Sequence, residues 1–201
     1  MKIFLTLFVL FFSSLVIADD ISDYKIEKIS VGDSLLKFYS KTTIKKNFDT
    51  ESNKMNKDKT FYSVTIEDKK FENYDLIQVY LKTNDEDFLI YSIAGVTYFK
   101  EDISKCYSRK DTIVNEISRI LKNIKKTDYG TYPHGSDPSG KSLVNSIYFD
   151  FQDDQGDGMD YIAVGCTDWS VDFEKTYNFN DNLRVVIANK EFDYWINNLA
   201  Y

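Results

Sequence analysis

Residues 75–82 (DLIQVYLK) and 87–96 (DFLIYSIAGV) both have strand composition, and only four residues separate them. A parallel pair needs a crossover of a dozen residues or more, so these two can pair only as an antiparallel hairpin. Asn84-Asp85 supplies the turn, and Ile77, Val79 and Leu81 alternate as one buried face requires. A third run, FYSVTIE at 61–67, alternates through Tyr62, Val64 and Ile66. The first half of the chain is therefore expected to form an antiparallel sheet.

Around these strands the pattern changes period. Asp33 and Ser34 can cap a helix bearing Leu35, Leu36 and Tyr39, with a weaker turn around Ile44. The polar stretch 49–60 (DTESNKMNKDKT) reads as a surface loop. The strongest helix runs from about Asp102 to Lys125. Ile103, Tyr107, Val114, Ile117, Leu121 and Ile124 form its apolar stripe. Residues 126–142 (KKTDYGTYPHGSDPSGK) hold both prolines and a cluster of glycines, and so read as irregular. Strand candidates follow in SLVNSIYFDF, DYIAVGC and LRVVIA, then a short helix with Phe192, Trp195, Ile196 and Leu199 on one face. The fold class is α+β, with antiparallel strands and one long amphipathic helix. Two arrangements stay open: two helix-plus-three-strand repeats, as lobes 19–100 and 101–201, or one continuous sheet in a single domain over 19–201.

The N-terminus, MKIFLTLFVLFFSSLVIADD, has a basic start, a short apolar core and small residues before Asp19, the pattern of a secretory signal cut after Ala18. No later stretch approaches about 18 unbroken apolar residues, so no membrane span is expected in the mature chain. The location expected is periplasmic or secreted. In such a compartment an even cysteine count favours a disulfide between Cys106 and Cys166. A net charge of −7 argues against a nucleic-acid partner.

Three motifs suggest chemistry. GSDPSGKS at 135–142 fits the phosphate-loop pattern, but a loop precedes it and a strand follows it, where the motif needs a strand and then a helix. No nucleotide or other cofactor is expected. Gly32-Asp33-Ser34-Leu35 is the GDSL of secreted esterases, in which the serine is the nucleophile; yet the sole histidine, His134, lies in mid-chain without the Asp-x-x-His setting of that family. Asp153, Asp157 and Asp160 crowd a glycine-bearing turn with a partial calcium-loop spacing. Val164 stands where the bidentate Glu belongs. No metal site is assigned.

The opening IEKISVGDSLLKFYS resembles the start of the repeats in β-lactamase-inhibitor protein and in envelope-assembly lipoproteins of similar fold, which implies a fold only. VGDSLL, the Cys106 helix, SGKSLVNSIYFDF, CTDWS and LRVVI together resemble small uncharacterised exported bacterial proteins, a likeness that implies no activity. Tyr129, Tyr132, His134 and Trp169 are the candidate binding residues, because aromatic side chains on a loop can grip a sugar or a protein. The functional expectation is an exported, non-enzymatic binding or interaction module with a protein or glycan partner in the envelope. The alternative is a small secreted hydrolase using Ser34 or a pair of carboxylates.

Overall fold

A computed structural model describes residues 20–100, 102–151 and 158–200. Helices α1 (Lys41–Lys46) and α2 (Thr50–Met55) precede strands β1 (Phe61–Ile66), β2 (Leu76–Lys82) and β3 (Ile90–Tyr98). Helix α3 (Ile103–Ile120) leads to β4 (Lys125–Pro133), β5 (Leu143–Phe151) and β6 (Asp160–Asp168). Helix α4 (Val171–Tyr177), strand β7 (Asn182–Ala188) and helix α5 (Lys190–Asn198) complete the order. The protein is α+β.

All seven strands join one antiparallel sheet in the order β1-β2-β3-β7-β6-β5-β4. Two meanders, β1–β3 and β4–β7, meet where β3 pairs with β7, from Ser92↔Ala188 to Tyr98↔Asn182. The hairpin expected of 75–96 is β2–β3, and Asn84 takes the left-handed conformation in its turn. The sheet crosses the boundary drawn between the two lobes, and the second meander carries four strands where the repeat reading expects three.

Strand alternation sorts the side chains to two faces. One face presents Val64, Ile77, Val79, Ile93, Ile162, Val164, Val185 and Ile187, all buried in the main core with Val114 and Leu121 of the α3 segment. Asp102 caps α3 by accepting from the N–H of Ser104, 3.1 Å away. Cys106 on α3 and Cys166 on β6 form the expected disulfide, with Cα atoms 6.0 Å apart and a sequence separation of 60. Closing such a loop is worth about 4 kcal/mol on the chain-entropy account. The opposite face holds a smaller cluster, in which Phe192 and Trp195 of α5 pack on Phe61, Tyr161, Ala163 and Ala188.

Several local expectations are corrected. The long helix ends at Ile120: Leu121 makes the closing bond to Ile117 and leaves helical backbone, and Leu121 and Ile124 reach the core from the link to β4. Residues 126–133, expected as irregular, form β4 on β5 together with Lys125, expected at the helix end. Gly130 (φ +61) sits at a bulge and Pro133 at the strand's end, so both breakers occupy places an edge strand tolerates. Residues 50–55, expected as loop, form α2 because Asp49 accepts from the N–H and hydroxyl of Ser52. The helix expected after Ser34 is one 3-10 turn, Leu35–Lys37, followed by α1, which Ser40 caps.

Candidate functional site

Strand register puts Tyr132 and, through the bulge, Tyr129 on the α5 side of the sheet. The hydroxyl of Tyr132 bonds Ser146 at 3.0 Å, and the ring of Tyr129 meets Tyr148 edge-on while remaining 57% exposed. His134 and Trp169 come together, their ring centroids 4.3 Å apart, and Trp169 stacks on Phe173 of α4. His134 and Trp169 thus belong to an aromatic cluster that packs largely on itself, separate from Tyr129. Burial, reinforced by the charge of Arg184, pulls the His134 imidazole down to about 4; Asp137 opposes the shift. Its Nδ1 accepts from the N–H of Ser136 at 3.1 Å, as a neutral ring can.

The residues of the phosphate-loop pattern form the turn from β4 to β5, with no helix after Ser142. The Asp137 carboxylate accepts from the Ser142 hydroxyl (2.5 Å) and N–H (3.0 Å), the Ser139 N–H (2.9 Å) and the Ser170 hydroxyl (3.1 Å). Ser142 foremost, then Ser139, holds that carboxyl far below the usual range. Donors that a phosphate would need are already bonded to a built-in anion.

Ser34 lies elsewhere. Its hydroxyl donates to the Asp87 carbonyl at 2.5 Å and accepts from the N–H of Leu36. Asp33 pairs with Lys37 at 2.8 Å. Ser34 bridges Leu89 beside the start of β3, whereas His134 follows the end of β4. Three strand spacings, roughly 14 Å, lie between β3 and β5, and the two residues occupy opposite ends of the sheet. The structure does not bring Ser34 and His134 together. Of the acidic turn, Asp153 and Asp157 lie outside the described residues; Asp160 accepts from the N–H of Lys190 at 2.7 Å, at the start of α5.

Two hollows remain. A cavity of about 600 Å³ brings Glu67 and Asp75 to one lining with Tyr98, Lys100 and Lys105. Asp75 there accepts from the N–H of Tyr98, whose hydroxyl is pushed up by burial and then by Glu67.

The larger hollow, a groove of about 820 Å³, lies along β1 and was not foreseen from the sequence. Its apolar floor is Ile44, Phe48, Phe61, Tyr62 and Phe88, with Phe48 stacked on Tyr62 at 5.7 Å. Lys41, Lys45, Lys54 and Lys59, from α1, α2 and the link to β1, line it together with Asp85 and Glu86 of the β2–β3 turn. Lys41 lies 5.4 Å over the Phe88 ring, and Lys59 is fixed by the carbonyls of Asn53 (2.7 Å) and Asn56.

The wall exists because α2 is tied down. Asn53, 7% exposed, donates to the Ser63 carbonyl at 3.0 Å and accepts its N–H at 2.7 Å. Asp49 accepts from the Thr65 hydroxyl (2.9 Å) and from Gln78 (3.1 Å). Behind the wall, Asp58 accepts from the Trp195 indole at 2.8 Å and Lys57 donates to the Ala200 carbonyl at 2.6 Å. A six-residue helix has little stability of its own, so these bonds determine its place. An apolar floor of this size with charged groups on its rim suits binding. No family, no curated protein and no solved structure matches this chain.

Proposed function

We propose that this chain is an exported, non-enzymatic interaction module of the periplasm or the secreted fraction that docks a partner protein in the groove along β1. The observation that carries the reading is the groove itself: five apolar or aromatic floor residues beside four lysines, with Phe48 47% exposed. The exposed Leu36, Phe38 and Leu89 belong to neighbouring segments, the turn before α1 and the approach to β3, and widen the apolar surface beyond what a small ligand needs. The leader-like first 18 residues and the Cys106–Cys166 bridge support an oxidising destination.

A photo-crosslinking residue at position 48 tests this in cells, with position 171 as the control; Val171 is 61% exposed on α4. The expected result is a discrete adduct from position 48 and none from 171. Failure to form an adduct at 48 overturns the reading.

A further inference from the structure

We infer that the partner segment seated in this groove is an acidic stretch of polypeptide carrying at least one large apolar side chain. The inference rests on the docking reading above and names the partner's chemistry.

Charge is the first ground. The chain carries −7 overall, yet residues 41–59 hold six lysines against three acidic residues. Two of those acids bond inward: Asp49 to Ser52, Thr65 and Gln78, and Asp58 to Thr60 and Trp195. Four of the six lysines line the groove, among them Lys59, whose ammonium group also bonds the carbonyls of Asn53 and Asn56. A basic wall on an acidic molecule attracts negative ligands, while the net charge of −7 on each copy opposes self-association, so a second copy is a poor occupant.

Backbone availability is the second ground. An edge strand normally invites an added strand, but here Phe48 bridges Val64, the N–H of Asp49 bonds Ser63, and the N–H of Thr65 bonds Asn47. Recognition therefore runs through side chains: an apolar anchor on the Phe48–Tyr62 floor and carboxylates on the lysine wall. The acidic pair in the lining is the third ground. A planar anionic bilayer facing the groove meets Asp85 and Glu86 as well as the lysines, whereas a polypeptide segment can place its carboxylates on the lysines one by one.

The test uses residues 19–201 and three probes: a labelled 12-residue peptide of Glu with interspersed Phe and Leu, its Lys counterpart, and phosphatidylglycerol vesicles. Saturable binding of the acidic peptide is expected, with shifts at Phe48, Tyr62 and Phe88 in NMR spectra and weakening as salt rises. A Lys41→Glu/Lys45→Glu variant should bind at least tenfold more weakly; Lys45→Glu alone, at an exposed position, serves if the double variant melts early. Equal binding of the Lys peptide, preference for vesicles, self-association through the groove, or no saturable binding of the acidic peptide overturns the inference. An adduct from position 48 that survives the lysine reversal sinks the acidic partner and leaves the docking reading standing; absence of any adduct sinks both.

Discussion

The outer edges of β1 and β4 share one liability, a row of backbone N–H and C=O groups facing away from the sheet, and the chain manages them differently. At β1 the segment from Asn47 to Asn53 lies across the edge and takes up its polar groups. At β4 nothing comparable is seen among the described residues, and the edge is blunted by Lys125 and Lys126, by a bulge at Tyr129 and by Pro133. Covering an edge adds a wall, and a wall beside a sheet makes a hollow. Blunting leaves a flat, polar strip. The contrast accounts for the groove along β1.

The largest effect should separate scaffold from groove. Replacing Cys106 and Cys166 by Ser removes a bridge on the α3 side of the molecule and should cost about 4 kcal/mol in urea unfolding. Amides of β1 should keep their relative protection, since the tether of α2 does not involve the bridge. Next comes acid. His134 has its proton affinity lowered in the fold, so the unfolded chain binds more protons between its ordinary pKa near 6.5 and about 4. Stability is then full above about pH 6.5 and declines by about 3 kcal/mol as pH falls to about 4, with the β4–β5 turn opening before β1 in hydrogen exchange. A His134→Gln variant should flatten that slope.

A smaller, more pointed change is Asn53→Ala, which strips the N–H of Ser63 of its acceptor and leaves the C=O with the N–H of Asp49 alone. It should cost about 2 kcal/mol and abolish crosslinking from position 48. Normal crosslinking in a folded Asn53→Ala protein would mean that the wall is dispensable. The smallest effect belongs to the open edge. Gly130→Ala meets no atom within 4 Å and pays only for its left-handed backbone, about 1 kcal/mol in thermal unfolding. Groove binding should be unchanged.

Much of the frame was legible in the sequence because its signals are periodic: the β2–β3 hairpin, the stripe of α3, the last three strands and the cysteine pair. The short pieces were not. The only local mark of α2 is Asp49 capping a polar hexamer, and its position comes from Ser63 and Gln78, which lie 10 or more residues further on. The Gly130 and Pro133 that made β4 read as loop are tolerable because it is an edge, and edge status is a property of the finished sheet. The groove was hidden for the same reason: its floor draws on Ile44, Phe61 and Phe88, and no spacing along the chain announces that they meet.

The place of β7 between the two meanders has a consequence in time. Its residues, Asn182–Ala188, are made after all the other strands of the sheet, yet they form the seam between β3 and β6. Until they arrive, β3 presents an unpaired edge along which Ile90, Ile93, Ala94 and Val96 are all residues of the finished core. The sheet cannot close progressively from its N-terminus. Its halves wait for β7, and a truncation before Asn182 leaves two separate meanders with sticky inner margins.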